Sequence, residues 1–240
     1  MPSYQWPPSL WAAVTPPGPY LSPLVGDLDV DALVIVAGFT GSSTALHLAA
    51  EGVDVTVLEA AAPGWGASGR NNGQVIPTLT RPEPDDLIAK HGEAGERFVA
   101  VLRDSADDLF RIVRECGIDA EAEQSGWVQP VHSPGRMKVA ERRCEQWARH
   151  GAPVELLTSE QVRDITGSDI WFGGFQNLTG GHINPLALAR GLASAAQQRG
   201  AKIFVETPVR TIAYEDGKWH ATTAQGRVTA RRLMLATNAY

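Results

Sequence analysis

Five apolar residues in succession, Ala32 to Val36, predict a strand buried on both faces. Ala37-Gly38-Phe39-Thr40-Gly41 then opens a helix-like stretch over residues 43–52. A second apolar strand, Val53-Asp54-Val55-Thr56-Val57-Leu58, stops on Glu59. Residues 85–117 change to helical spacing, with Phe98, Val101, Leu102, Leu109, Ile112 and Val113 at three- and four-residue steps, which predicts a core-facing stripe. A short strand over 126–131, a helix over 135–150 and a strand over 154–157 follow. Thr158-Ser159-Glu160-Gln161 starts another short helix with a hydroxyl cap and an early acid. Asn184 and Pro185 read as cap and first residue of a long helix through Gln198, which Gly200 stops. A strand at 202–205 leads to three sheet-like segments at 209–214, 218–223 and 226–230. Leu233-Met234-Leu235 then forms a buried-type strand that runs into the small polar turn Ala236-Thr237-Asn238-Ala239-Tyr240.

The first of these segments carries the chemistry. Strand, glycine turn, helix, strand and acid all fall within about 30 residues, the arrangement of a dinucleotide-binding unit. Such a unit places its glycines where a pyrophosphate approaches the backbone and a helix N-terminus, and its acid on a ribose hydroxyl. The three glycine positions fall at 36, 38 and 41, and the first is Val36. A β-branched residue resists the tight turn required there, which predicts strain of about 1–3 kcal/mol and weakened nucleotide binding. The plainer alternative is an ordinary βαβ unit with two loop glycines.

Downstream, Gly64-Trp65-Gly66-Ala67-Ser68-Gly69-Arg70-Asn71-Asn72-Gly73-Gln74 is too glycine-rich for a helix interior. It offers backbone donors, amides and a guanidinium suited to wrapping a polar ligand, or it is simply a long surface loop. Residues 1–28 form an extended arm, since Pro2, Pro7, Pro8, Pro16, Pro17, Pro19 and Pro23 oppose helix. Trp6, Trp11 and Tyr20 anchor it along the folded body.

Composition narrows the classes. The chain has 240 residues, 43% hydrophobic and 20% charged, enough for a sizeable core in one or two domains. A net charge of −6 opposes a nucleic-acid surface, and the basic stretch 136–149, interleaved with Glu141 and Glu145, reads as a solvated helix face. Cys116 and Cys144 are far apart and in no metal spacing, so they read as reduced, in a cytoplasmic protein. No secretory signal is evident, no run is long enough to span a membrane, and the sequon at Asn177 is therefore silent.

These pieces resemble, in order, the N-terminal half of the D-amino-acid oxidase superfamily of flavoenzymes, and within it the gamma-glutamylputrescine oxidoreductase branch. The matching residues are 37–41, Glu59, 64–74, the segment Gly180-Gly181-His182-Ile183-Asn184-Pro185, and 236–240, with Arg70-Asn71-Asn72-Gly73-Gln74 the most specific. The resemblance implies an α/β fold: a Rossmann-like FAD-binding domain of the D-amino-acid-oxidase type with a partial α+β substrate domain inserted. Its divisions would be the arm (1–28), the βαβ unit and flavin loop (29–84), a helical segment with part of the substrate domain (85–170), and a return to the FAD domain (171–240).

FAD is the implied cofactor. Glu59 would lie at the adenosine ribose and Gly38 and Gly41 at the pyrophosphate, with Val36, Phe39, Thr40 and Ala60 also among the cofactor-binding residues. Ser68, Arg70, Asn71, Asn72 and Gly73 would follow the ribityl chain and flavin ring, and Gly66, Ala67 and Gln74 of the same loop would also bind the cofactor. Val209 would give backbone contacts near the adenine, and Ala236-Thr237 would pass close by. The implied reaction is dehydrogenation of a C–N bond in a small amine or amino acid. Ser42 departs from the family in standing where an apolar residue usually packs the first helix on its sheet. Relatives also continue beyond Tyr240, so the chain reads as an N-terminal part whose missing half a complementing chain could supply. A non-catalytic FAD- or ADP-binding module and an inactive truncated product are the alternatives. His182 reads as a capping or packing residue and His47 as structural or surface. No catalytic residue and no metal ligand is assigned.

Overall fold

A computed structural model describes residues 4–79 and 81–238. Pro2 of the arm and the closing pair Ala239-Tyr240 lie outside the described residues. The chain forms α1 (Leu10–Val14), β1 (Leu28–Ile35), α2 (Phe39–Ala50) and β2 (Val55–Leu58) before the glycine-rich loop. Then come β3 (Gln74–Val75), α3 (Pro84–His91), α4 (Glu93–Glu115), β4 (Trp127–Pro130), α5 (Met137–Arg149) and β5 (Val154–Thr158). They are followed by α6 (Ser159–Thr166), β6 (Gly173–Asn177), β7 (Gly181–His182) and α7 (Pro185–Gln198). Four strands close the described chain: β8 (Lys202–Phe204), β9 (Thr211–Glu215), β10 (Lys218–Thr222) and β11 (Arg227–Leu235). They make up a mixed α/β fold of two compact units. The first is built from residues 1–72, 113–121 and 184–240, the second from 73–112 and 122–183.

The first unit is organised on a six-stranded sheet in the order β8-β2-β1-β11-β10-β9. β8, β2, β1 and β11 run parallel, and β10 and β9 continue as an antiparallel meander. The unbroken apolar run of β1 is explained by this place: a central strand has both faces covered. On one face Leu33 and Ile35 join Leu24, Leu58, Ala221, Val228 and Ala230 in a buried cluster. α2 packs against β1, β2 and α7. The segments 226–230 and 233–235, expected as separate strands, form the single strand β11. Its register keeps a single offset from Leu28 opposite Val228 to Ile35 opposite Leu235. Arg231 and Arg232, within the strand, are both exposed, and Arg231 lies 3.5 Å from Asp31.

Ser42 is fully buried in α2, and its hydroxyl finds no partner among the described residues. An unsatisfied buried hydroxyl is a net cost. Ser42→Ala should therefore raise stability by about 1–2 kcal/mol, seen as a higher urea midpoint at unchanged slope. A lower midpoint would mean that the hydroxyl has a use the geometry does not reveal.

The second unit holds a three-stranded antiparallel sheet, β4-β6-β5, and the short pair β3-β7. Val99, Val131, Ala140, Trp147, Ala152 and Phe175 form its core. The helical pattern of 85–117 is divided at Gly92, whose φ of 54° no ordinary helix residue adopts. The buried stripe of α4 is also rotated from the expected one. Val99, Ala106, Phe110 and Val113 are buried, whereas Phe98 and Val101 are 48% and 68% exposed. Thr158 and Gln161 form the full reciprocal cap of α6, and Asn184 caps α7 through the Ala187 N–H. Within α5 the solvated face is real but incomplete, because Arg143 is buried.

Candidate functional site

The parallel strands of the first unit end together, and the βαβ turn sits at those ends, where open α/β sheets bind their ligands. β1 leads into Val36, whose N–H donates to the Leu58 carbonyl at 2.8 Å. Val36 has φ 83°, in the left-handed region that favours glycine. The strain expected there is present, at a cost of about 1–3 kcal/mol. The folded backbone already holds this conformation. The Val36 side chain recovers part of the cost by packing against the cluster around Leu58, where Val209 also lies.

Past the turn, Gly38 precedes α2, which begins without a side-chain cap on that residue. The Phe39 N–H instead donates to the Ser68 hydroxyl at 3.1 Å, so the glycine-rich loop itself ties down the helix start. A Cβ on Gly38 would lie 2.9 Å from that hydroxyl, and one on Gly41 would lie 1.8 Å from the Val36 carbonyl oxygen. Gly41 is thus fixed by close contact between helix and strand. Thr40 is exposed at the same end.

Glu59 is buried at the end of β2. One carboxylate oxygen accepts the Ala37 N–H at 2.8 Å and the other accepts the Ala61 N–H at 2.9 Å. Its own peptide is fixed too, with its N–H on the Phe204 carbonyl and its C=O on the Thr207 N–H. Burial raises the pKa of this carboxyl, and the backbone donors Ala61, Ala37 and Ala60 pull it part of the way back. Ala60, next in sequence, is exposed. Across the sheet the Ala236 N–H donates to the Ile35 carbonyl at 3.1 Å, which sets Ala236-Thr237 beside the β1 end.

The loop from Gly64 onward is held by its own residues and by the arm. A Cβ on Gly64 would meet Ala189 at 2.7 Å, so the loop lies directly on α7. Gly66 precedes a single 3-10 turn over 67–69, and Arg70 Nε returns to the Gly66 carbonyl while its guanidinium sits 5.4 Å over the Trp65 ring. The Asn71 amide donates to the Ala67 and Ser68 carbonyls. Arg70, Asn71 and Asn72 are exposed.

The arm does lie along the body through Trp6 and Trp11, whereas Tyr20, also expected as an anchor, is 93% exposed. Trp11 Nε1 donates to the Asn71 carbonyl and Trp65 Nε1 to the Gln5 carbonyl, both at 2.8 Å. Arg190 donates to the Thr15 and Pro16 carbonyls and covers the Trp6 ring at 4.7 Å. The arm also contains the short helix α1, in the proline-free interval between Pro8 and Pro16. Its Tyr4 has its pKa raised by burial first, then by Glu206, with Glu59 adding a smaller push.

The structure therefore gathers Val36, Gly38, Phe39, Thr40, Gly41, Glu59, Ala60, Gly66, Ala67, Ser68, Arg70, Asn71, Asn72, Val209, Ala236 and Thr237 in the first unit. Gly73 and Gln74 fall in the second unit. There Gly73 has φ 74° and accepts the Ile183 N–H, and the Gln74 side chain accepts from Trp127 Nε1 at 2.9 Å. Sequence reasoning missed the partners of Glu59 at Ala37 and Ala61, which act through backbone groups that any residue possesses. His182 is exposed, 3.7 Å from Glu123, and His47 bonds only its own helix at Ser43. Asn177, of the sequon, is fully buried, with its side-chain oxygen taken by the Thr179 N–H and hydroxyl. Among the described residues no His, Cys, Asp or Glu cluster could hold a metal. Among the described residues no helix is long and apolar enough to cross a membrane.

A buried acid with lone pairs to spare at a strand end, a helix start whose N-cap is a glycine and a turn closed to side chains form a donor and acceptor set that fits an adenine dinucleotide. Comparison with known proteins agrees. The model of the FAD dependent oxidoreductase family, DAO, matches residues 31–240. The chain is 34% identical over 212 residues to gamma-glutamylputrescine oxidoreductase of Escherichia coli, covering 88% of this chain and 49% of that one. It is 32% identical to the probable oxidoreductase OrdL of Haemophilus influenzae, covering 91% and 51%. The chain thus spans about half the length of the curated relatives it matches. Among solved structures, L-proline dehydrogenase from P. horikoshii superposes with a TM-score of 0.76 at 24% identity, over 90% of this chain and 54% of that one. Glycine oxidase from Geobacillus kaustophilus gives 0.70 at 22%, over 88% and 56%. Both show the same fold.

Proposed function

We propose that this chain, which belongs to the DAO family of FAD-dependent oxidoreductases, holds FAD at the carboxyl ends of its parallel strands and serves the oxidation of a C–N bond. The observation that carries this reading is Glu59, fixed by the Ala37 and Ala61 N–H groups beside the glycine N-cap of α2. Glu59 would accept the ribose hydroxyls, using lone pairs that the two backbone donors leave over. The N–H groups at the start of α2 would face the pyrophosphate. Gly38 adds no side chain at that approach, and Gly41 lets α2 sit close on the end of β1. Ser68, Arg70, Asn71 and Asn72 would border the ribityl and flavin portion, and the arm would hold their loop in place through Trp11 and Trp65. The bound flavin supplies hydride acceptance from the carbon next to the amine. The chain's own part is to bind, orient and exclude water.

We assign the substrate to small amines or amino acids, with a gamma-glutamylputrescine-like amine as the first candidate because of the 34% identity to that relative. Turnover would need wall residues from the half of the relatives' length that this chain does not span. A second reading is a module that binds FAD or ADP without catalysis, resting on Glu59 and the start of α2 alone. The two free cysteines suit a reducing, cytoplasmic setting.

The test is the visible spectrum of the purified chain after FAD addition and gel filtration. A retained flavin spectrum is the expected result, and a colourless, folded protein would overturn the reading. Amine-dependent bleaching of the bound flavin then separates the oxidoreductase from the bare binding module.

A further inference from the structure

The second unit contains a cavity of about 510 Å³ bounded by residues 81–86, β4 and α5. That volume falls within the range of small-molecule sites, roughly 300–1,000 Å³. Its lining is unusually rich in guanidinium groups. Arg143 is buried there and already satisfied, by Glu83 through Nε and Nη2 and by Gln129 through Nη1. Arg81, Arg136 and Arg142 also line the cavity, are exposed, and make no ion pair among the described residues. His132 adds a further donor. The acids in the lining are Glu83, engaged by Arg143, and Asp86, at the start of α3. Three unpaired arginines therefore face one unengaged acid. Pro130, Val131, Val139 and Ala140 give the same cavity an apolar wall.

A solvated basic face would have neither the concavity nor the apolar wall. Guanidinium groups grip oxyanions with paired, charge-assisted hydrogen bonds, and an apolar wall favours a carbon skeleton over a bare ion. We propose that this cavity binds a small organic anion carrying two or more oxyanion groups, carboxylate or phosphate ester. The site is built from residues of the second unit alone and does not depend on flavin binding.

The experiment is calorimetric titration of the full chain with citrate and, separately, with 2,3-bisphosphoglycerate, at ionic strength held constant with chloride. The comparison is the double variant Arg136→Ala/Arg142→Ala, whose exposed positions leave the core and the Arg143–Glu83 pair untouched. Saturable binding of either probe, weakened about ten-fold or more in the double variant, supports the site. Citrate alone identifies a carboxylate ligand and bisphosphoglycerate alone a phosphate ester. Failure of both to bind, or equal binding by the double variant, overturns it. The second result would also place any anion uptake elsewhere, including the glycine turn of the first unit.

Discussion

Arg143→Ala should cost about 3–5 kcal/mol of stability, the penalty for removing one partner of a buried ion pair. The side chains of Arg143 and Glu83 are 7% and 6% exposed. Both bonds from Arg143 fall on one oxygen of Glu83, at 2.9 and 2.8 Å, and the other oxygen is buried with no partner among the described residues. Glu83 therefore depends almost wholly on this arginine for its charge. Without it, a carboxylate stands uncompensated between α3 and α5, and Gln129 loses its donor as well. Urea unfolding measures the loss. Pairing Arg143→Met with Glu83→Leu should recover more than half of it, because an apolar pair of similar volume often replaces a buried ion pair at little cost. A loss under about 1 kcal/mol for Arg143→Ala would mean that water reaches Glu83 readily.

Glu59→Ala should abolish measurable FAD retention and also destabilise the protein by about 2–4 kcal/mol, since it strands the Ala37 and Ala61 N–H groups. Glu59→Gln keeps one good acceptor and should fall between the variant and the parent. The pH dependence is diagnostic. Burial lifts the Glu59 carboxyl above its usual value, so the folded chain holds that proton more tightly than the unfolded chain. Stability from this group is then greatest below the ordinary glutamate value and is lost as the pH rises through the raised one. The gap in stability between parent and Glu59→Ala should accordingly narrow with rising pH across that window. A gap that widens would show that the backbone donors outweigh burial.

These two sites differ in how readable they were. Glu59 lies 21 residues beyond Gly38 in a local unit whose spacing alone places it, and Val36 announced its own strain by standing where φ is positive. Arg143 gave no such signal. It lies on a helix whose other charges are solvated, and its partner is 60 residues earlier. The misread elements share a related cause. β6 is the segment Gly173-Gly174-Phe175-Gln176-Asn177, whose strand state comes from the neighbours β4 and β5 rather than from β-forming residues. The rotation of the α4 stripe turned on whether Phe98 or Val99 faces inward, and one residue in the helical period is too fine a distinction for spacing to settle. The arm contacts rest on backbone carbonyls of Gln5, Asn71, Thr15 and Pro16, which carry no residue-type signature.

The pairing of β1 with β11 also sets a schedule for the chain during its synthesis. Leu28 is joined to Val228, so the central strand waits about 200 residues for the neighbour that completes it. At roughly 5–20 residues per second, that wait is on the order of 10–40 s. Throughout it, Leu33, Val34 and Ile35 have β2 on one flank and nothing on the other, an open apolar edge of the kind that recruits other chains. A ribosome-bound chaperone would be expected to occupy that edge, and slowing translation before residue 227 should increase the share of newly made protein that aggregates.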